Sequence, residues 1–425
     1  MRRMLLMIMA LLSACASAPR AEEAPPMYAL INGRWWDGTG FVERTVFTSL
    51  GELDWASPGR VDSTIDLAGG YIIPPFGEAH NHNAGMVGAN LETVTGRYLR
   101  EGIFYAKNPC NLPRDRAQPP AVNTSRTIDV VWSNGGITAP DGHPLGLVRR
   151  NIARGNMTEA DGEGAFVHTV ANRADVDRKF PAILAGGPSF IKTFLLFSEE
   201  YEKRRADTTY FAWKGLDPKL LPYIVGKAHA AGLRVSCHVE TAADFRAAVA
   251  AGVDEINHLP GFRPERDDPK GYARLQRYVL TDVDAAKAAK AKVVMVTTVG
   301  ETIEYLAADT AAADRANVKA VRAMIVGNLR VLHKAGVPIA LGSDRFRGTS
   351  TSEAMALHGL GEFDTPTLLK MWCENTAATI FPKRKIGRLA NGYEASFLVL
   401  EGDPLADFSN LQRIRMRMKQ GRILP

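Results

Sequence analysis

Eight short apolar runs rich in β-branched residues recur along the middle of the chain and alternate with segments of helical periodicity. In the clearest stretch, an amphipathic helix ends at Gly232 and the strand LRVSCHV follows it. The next helix begins at Thr241, with Asp244 in a capping-box arrangement, and ends at Gly252 before the strand VDEINHL. Eight such units predict an α/β fold, a (β/α)8 TIM barrel with a parallel sheet buried on both faces. The other six predicted strands are YIIPPFGEAH, GIFYAK, DVVWSN, SFIKTFLLF, KVVMVTT and PIALGSD.

The two ends of the chain have a different pattern, with short strands broken by turns such as Asn32-Gly33 and Asn391-Gly392. This pattern predicts that residues 27–73 and 386–425 form a small composite β-sandwich beside a barrel domain at 74–385. The stretch between the third and fourth predicted strands is poorly periodic, so the sequence determines this boundary less well than the others.

The first residues have the layout of an export signal, because two arginines precede an apolar run, 4–12, that is too short to span a bilayer. The run ends in LSAC, which resembles the lipobox of bacterial lipoproteins. We therefore expect residues 1–15 to be a signal peptide with Cys15 as the lipid anchor, and 16–26 to be a tether. The mature protein would then lie on the periplasmic side, anchored to the bacterial outer membrane. Ordinary cleavage within 14–18, which would release a soluble protein, is the alternative.

Composition adds little to this interpretation. The net charge of +6 comes from 52 basic and 46 acidic residues spread along the chain, a pattern that does not favour nucleic-acid binding. Cys110, Cys237 and Cys373 are far apart and show no CxxC spacing, so we expect buried free thiols. The expected partners are a small-molecule substrate and, through the lipid, a membrane; a homo-oligomer remains open.

Residues that can bind metals stand at the carboxyl ends of the predicted strands, which is the end of a barrel that carries the active site. His80 and His82 are separated by one residue, so an extended strand directs both side chains to the same side. Imidazoles and a carboxylate are ligands that Zn2+ prefers. An isolated HxH pair would be a weak signal, but its repetition along the chain predicts a catalytic metal site at His80, His82, Lys192, His238, His258 and Asp344.

Lys192 is the unusual member, because an ammonium group would be repelled from a metal pocket. Its apolar strand, FIKTFLLF, predicts that it is buried. Carbamylation by CO2 would convert the amine into an anionic oxygen ligand that could bridge two metals. A lysine paired with a carboxylate beneath the barrel mouth is the alternative.

These segments resemble the amidohydrolase superfamily, and more narrowly its imidazolonepropionase-like and prolidase-like metal-dependent branch. The resemblance spans nearly the whole mature chain and rests on GGYIIPPFGEAHNH, FIK, CHVET, INHLPG, LGSD and the tail NTAATIFPKRKIGRLANGYEASFLVLEGDP. It implies a site for two metals, with His80 and His82 on the more buried metal and His238 and His258 on the second. Lys192 would be the carbamylated bridge between them, and Asp344 a ligand that also moves protons.

The chain departs from the common pattern near His82. Glu78 stands where many relatives have Asp, and Asn81 and Asn83 flank His82. These differences put the substrate subgroup in doubt more than metal binding, and they leave one-metal and two-metal forms open.

The resemblance implies a hydrolase of amide or cyclic amide bonds, in which water activated by a metal, with Zn2+ as the expected cation, attacks a carbonyl and Asp344 shuttles the proton. Dipeptides and N-acyl amino acids are the expected substrates. The alternatives are a lactone, ester or phosphotriester hydrolase on the same site and a catalytically inactive lipid-anchored binding protein. His143, Tyr201 and Arg345 follow the third, fourth and eighth strands and are the expected substrate contacts. A loop-stabilising role for His143 is an equal alternative.

Overall fold

A computed structural model describes residues 24–85, 90–117, 122–264, 271–308 and 315–425. The predicted signal peptide, Cys15 and most of the predicted tether therefore lie outside the described residues. Within those ranges, no helix combines the length and the apolar character needed to cross a membrane.

The chain alternates strands and helices along most of its length. The strands are β1 (Tyr28–Trp36), β2 (Phe41–Ser49), β3 (Glu52–Asp54), β4 (Ser63–Asp66), β5 (Tyr71–Ile73), β6 (Phe76–Glu78), β7 (Ile103–Asn108), β8 (Asp129–Trp132), β9 (Gly136–Thr138), β10 (Val167–Thr169), β11 (Ile191–Phe194), β12 (Val235–His238), β13 (Glu255–Asn257), β14 (Val294–Val296), β15 (Ile339–Ala340), β16 (Phe397–Leu400), β17 (Ile414–Lys419) and β18 (Arg422–Leu424). The α-helices are α1 (Leu91–Arg100), α2 (Leu145–Ala153), α3 (Arg173–Ala185), α4 (Tyr201–Arg204), α5 (Leu221–Ala230), α6 (Ala242–Ala251), α7 (Asp282–Lys290), α8 (Gly300–Ala308), α9 (Arg315–Lys334), α10 (Ser350–Leu360), α11 (Thr365–Leu369) and α12 (Thr376–Ile380).

Both ends of the chain contribute to one eight-stranded sheet, in the order β18-β17-β16-β5-β1-β2-β3, with β4 paired to β1. The two ends meet where β16 pairs antiparallel with β5, Val399 opposite Ile72. Beneath this junction the rings of Trp35 and Phe397 pack edge to face, 5.3 Å apart. The strand-rich character predicted for both ends therefore corresponds to a shared sheet.

The middle of the chain forms two parallel sheets, β6-β7-β8 and β10-β9-β11-β12-β13-β14-β15. Backbone hydrogen bonds join the sheets at two points. The Ser189 amide donates to the carbonyl of Trp132 (2.7 Å), and the Ala79 amide donates to the carbonyl of Leu341 (2.8 Å). Each of the eight predicted runs contains a strand of these sheets, so the prediction of an α/β fold with parallel strands is confirmed.

The segment that lacked periodicity contains β9, β10 and α2. Both strands have only three residues, too few for an alternating pattern to be recognised in the sequence. The sequence singled out no element within this segment, which contributes to the lining of the functional site.

Helix α6 has the ends that its sequence predicts. Thr241 and Asp244 form a reciprocal capping box at its start, and Gly252 ends it in the left-handed conformation, with φ +80°. This short helix connects the neighbouring parallel strands β12 and β13, whose carboxyl ends carry His238 and His258.

Candidate functional site

The six predicted metal ligands line one cleft at the carboxyl ends of the parallel strands. The ligand atoms of His80, His258 and Asp344 lie within 4.8 Å of one another. Asp344 Oδ1 is 3.3 Å from His82 Nε2 and 3.7 Å from His80 Nε2. The ring centroids of His238 and His258 are 4.5 Å apart, and those of His258 and His80 are 4.7 Å apart. Residues from the first to the last parallel strand thus converge on one point.

The two asparagines that flank His82 hold the loop that carries Asp344. Asn81 Nδ2 donates to Ser343 Oγ (2.7 Å), and Asn83 Nδ2 donates to the Gly348 carbonyl (2.7 Å). This segment lies beyond the end of β6, and Asn83 begins a short 3-10 helix, Asn83–Gly85; His80 and His82 line the cleft while both asparagines bond to the loop. The departure from the family pattern at these positions therefore links the first strand segment to the last.

Glu78 reinforces the same link. Its carboxylate accepts hydrogen bonds from the Ser343 amide (2.8 Å) and hydroxyl (2.9 Å). Burial raises the pKa of Glu78 to about 8, against the opposing effect of these hydrogen bonds.

Neighbouring groups orient several of the imidazoles. His82 Nδ1 lies 2.9 Å from the Pro109 carbonyl, which can only accept, so this nitrogen donates the hydrogen bond. His258 Nδ1 contacts Thr298 Oγ1 at 2.6 Å, and His238 Nε2 contacts Glu240 Oε1 at 2.7 Å. Such outer hydrogen bonds fix ring orientation in metal sites.

The chemistry of this cluster fits a divalent cation. Burial holds the pKa values of His80, His238 and His258 well below the usual range, so the rings are neutral and can donate lone pairs. Burial would raise the pKa of Asp344, but Arg263 and the hydrogen bond with His82 outweigh it and lower that pKa, so the carboxylate is charged. The buried Nδ1 of His80 has no hydrogen-bond partner within the part of the chain that the structure describes. The other nitrogen of this ring, Nε2, lies 3.7 Å from Asp344 Oδ1, and a neutral imidazole beside a carboxylate is a suitable ligand pair for a cation.

Lys192 is buried, with 2% of its surface exposed. Its Nζ donates to Asn257 Oδ1 (2.6 Å) and lies 5.4 Å from the centre of the Phe194 ring. No carboxylate forms an ion pair with it among the residues described, in contrast to the alternative interpretation of a lysine paired with a carboxylate. Burial lowers the pKa of Lys192 to about 8, so a substantial fraction of the amine is neutral at mildly alkaline pH.

Of the three expected substrate contacts, His143 lines the cleft, whereas Tyr201 and Arg345 are not among the described residues that line it. His143 lines the cleft, and its ring stacks on His238 with centroids 4.8 Å apart. Tyr201 begins helix α4 and is not among the described residues that line the cleft. Arg345 is also absent from that lining and forms an ion pair with Glu304 of helix α8.

Other cleft residues were not predicted from the sequence. Arg263 Nη1 donates to Asp344 Oδ2 (3.2 Å) and its Nη2 to Glu301 (2.7 Å), while Phe262 stacks on His258 at 4.1 Å. Both follow His258 in the turn HLPGFR, so the rule that polar residues after a strand end face the site would have found Arg263. Arg150 does not follow a predicted strand end, and this rule does not apply to the apolar residues of the cleft, so the sequence did not indicate them. The cleft has a volume of about 260 Å³.

A model of the amidohydrolase family matches residues 172–424. No curated protein matches the chain. Among solved structures, an ochratoxinase from A. niger is similar over 94% of this chain and 96% of its own, with 18% identity and a TM-score of 0.68. A putative prolidase from Bifidobacterium longum is similar over 95% of each chain, with 17% identity and a TM-score of 0.68. A Xaa-Pro dipeptidase with bound methionine is similar over 93% of this chain and 99% of its own, with 16% identity and a TM-score of 0.66. Identities this low support a shared fold.

Proposed function

Because this chain belongs to the amidohydrolase family, as its sequence segments predicted, we propose that it is a metal-dependent hydrolase of amide or cyclic amide C–N bonds. The observation that carries the proposal is the convergence of His80, His258 and Asp344, with ligand atoms within 4.8 Å of one another, in the cleft at the strand ends. The likeness of the chain to a prolidase and to a Xaa-Pro dipeptidase agrees with it.

The proposed scaffold is a closed (β/α)8 barrel. The hydrogen bonds from Ser189 to Trp132 and from Ala79 to Leu341 support closure, because they join the two parallel sheets at both junctions. We further propose that the chain is divided into a barrel domain at 74–385 and a composite β-sandwich formed by 27–73 and 386–425.

The residues that would hold the metal are His80, His82, Lys192, His238, His258 and Asp344. When bound, a divalent cation such as Zn2+ supplies Lewis acidity, which polarises a carbonyl and lowers the pKa of water. Lys192 would join the ligands as a carbamate: its neutral amine adds to CO2 and loses one proton. The remaining N–H of Lys192 can still donate to Asn257.

Asp344 is the proposed proton carrier. Its side chain is 13% exposed, whereas those of His80 and His238 are 2% and 6% exposed, so its carboxylate can reach both water and substrate. It would take a proton from the attacking water and give it to the leaving nitrogen. The bonds from Asn81 and Asn83 would keep its loop in position during both transfers.

We further propose that residues 1–15 export the chain, that Cys15 anchors it to the outer membrane, and that it acts on small molecules on the periplasmic side. This proposal is supported by the order of features in the first fifteen residues: two arginines, then an apolar run, then LSAC.

The test is metal content, measured by elemental mass spectrometry on the chain purified without chelators, together with hydrolysis of dipeptides and N-acyl amino acids. We expect about two equivalents of metal, fewer in Lys192→Ala, and loss of activity with a chelator that Zn2+ reverses. Asp344→Asn should lower kcat by about 10²–10⁴ because the proton carrier is lost.

About one equivalent of metal, unchanged in Lys192→Ala, would contradict the carbamate bridge and leave a mononuclear site. A chain that binds no metal under metal-replete conditions would overturn the proposed function. Lactones and phosphotriesters in the same substrate panel test the preference for C–N bonds.

A further inference from the structure

The part of the cleft that does not belong to the metal-ligand cluster is largely apolar. Phe166, Phe194 and Leu196 are buried, and Leu147, Trp213 and Phe346 are among the other apolar residues that line it. Such a surface suits a hydrocarbon or aromatic group of a ligand. The volume of about 260 Å³ lies near the lower end of the range for ligand clefts, about 300–1,000 Å³, so the cleft suits a small substrate better than a polymer.

Two arginines line this cleft, and they differ in their partners. Arg263 is engaged by Asp344 and by Glu301. Within the described residues, no carboxylate lies within ion-pair distance of the Arg150 guanidinium, which is exposed at the cleft. An exposed cation beside an apolar surface is a site where a ligand carboxylate can form a bidentate pair.

Helix α2 directs Arg150 to the cleft. Gly146 and Leu147, four and three residues earlier on the same helical face, also line it. A Cβ atom built on Gly146 would lie 2.9 Å from the Ala212 Cβ and 3.7 Å from Arg150 Nη1. The glycine thus permits close approach of the neighbouring segment, and the guanidinium lies back over the first turn of the helix.

We propose that Arg150 is a specificity-determining residue that binds the free carboxylate of the substrate, while the apolar part of the cleft holds the substrate's apolar side chain. The substrates are then small N-acyl amino acids or dipeptides with an apolar residue at the carboxyl end. This inference rests on the proposed function, since it concerns the same cleft.

The test compares N-acetyl-L-phenylalanine with its carboxamide, which has the same shape and no charge, as substrates of the metal-loaded full chain. We expect the wild type to prefer the carboxylate in kcat/KM by about tenfold to a hundredfold, the range for a charge-assisted hydrogen bond. Arg150→Gln should remove this preference by raising KM for the carboxylate and leave the carboxamide unaffected. Arg149→Gln is the matched control, because Arg149 is the next residue on the same helix, is exposed, and lies over the Phe211 ring instead of lining the cleft.

A binding measurement separates this inference from the proposed function. The Kd values of 3-phenylpropanoate and 3-phenylpropanamide, measured by calorimetry, should differ in the wild type and in Arg149→Gln but not in Arg150→Gln. Hydrolysis of both substrates at equal rates, or a preference that survives in Arg150→Gln, overturns the inference and leaves the proposed function. If neither substrate is hydrolysed, the two Kd values still test the inference, and equal values for the two probes in the wild type overturn the role of Arg150; the metal content tests the proposed function separately.

Discussion

Asn257 is the residue on which the orientation of Lys192 depends. Its Oδ1 accepts hydrogen bonds from Lys192 Nζ (2.6 Å) and from Ser236 Oγ (2.6 Å). Its Nδ2 donates to Glu255 Oε1 (2.9 Å), and since a carboxylate oxygen accepts, this contact sets the direction of the amide. Asn257 also directly precedes His258, so one short segment supplies both a proposed ligand and the group that holds Lys192, another proposed ligand.

Asn257→Leu should destabilise the chain by about 1–3 kcal/mol, because it leaves the buried Lys192 donor without its acceptor, whereas Ser236 can still donate to Glu255. It should also lower the metal content, since the lysine would lose its fixed position. Urea unfolding and elemental mass spectrometry measure the two effects. Ser236→Ala is the control: it keeps the contact between Lys192 and Asn257, so metal content should remain. Wild-type metal content in Asn257→Leu would show that this orientation is unnecessary.

A single helix cap connects two loops beside the site. The carboxylate of Asp244, in the first turn of α6, accepts hydrogen bonds from the amides of Phe197 (3.0 Å) and Ser198 (2.7 Å), which follow β11. It also accepts from the amides of Glu240 (3.1 Å) and Thr241 (3.0 Å), which follow β12. The cap therefore fixes the loop after the Lys192 strand to the loop after the His238 strand.

Asp244→Ala should cost about 2–4 kcal/mol of unfolding free energy, because loss of the cap is added to loss of the bonds to the β11 loop. Asp284 forms the same capping box with Thr281 at helix α7, but it also pairs with Arg246, so it does not isolate the cap. Asp364 is the control, because its side chain caps helix α11 by accepting a hydrogen bond from the Thr367 amide (2.9 Å). Asp364→Ala should cost about 0.5–2 kcal/mol, the usual range for a cap. Equal costs in urea unfolding would mean that the loop contacts contribute nothing to stability.

At the scale of the whole molecule, a buried ion pair joins the two parallel sheets. Lys107 Nζ of β7 lies 2.6 Å from Glu255 Oε2 of β13, and neither side chain is more than 5% exposed. Burial would raise the pKa of Glu255, but Lys107 and Arg234 outweigh it and lower the pKa to about 2. Glu255 therefore remains charged while buried. The stability of the folded protein then depends on the compensating charge of Lys107.

Lys107→Met should destabilise the protein by about 3–5 kcal/mol near neutral pH, because it leaves a buried carboxylate without its nearest cation. The folded-state pKa of Glu255 lies below the ordinary value of 4.5, so its stabilising contribution is present above pH 4.5 and is lost as the pH falls towards 2. The difference between wild type and variant should then shrink between pH 7 and pH 3.5 in urea unfolding.

Lys227→Met is the control for this pair. The ion pair of Lys227 with Asp177 has a similar distance, 2.6 Å, but its side chains are 33% and 51% exposed, so the cost should stay below about 1 kcal/mol. A cost for Lys107→Met as small as this control would contradict a structural role for the buried pair.

The sequence by itself determined the features that depend on local order along the chain. The eight buried runs, the ends of α6 and the HxH pair all follow from patterns that extend over a few residues, where periodicity and capping chemistry act. The convergence of the six candidate ligand residues on one cleft was predictable for the same reason, because polar ligand-type residues interrupt apolar strands at their carboxyl ends.

Only the tertiary structure decided which remote residues meet in the cleft. Arg150 lies on a helix from the segment without periodicity, and Arg345, expected at the cleft, forms its ion pair with Glu304 instead. The bonds of Asn81 to Ser343 and of Asn257 to Lys192 likewise join residues far apart in the chain. Which arginine lines the cleft, and which group each buried polar side chain bonds to, depend on distances set by tertiary packing. A local sequence pattern contains no information about these distances.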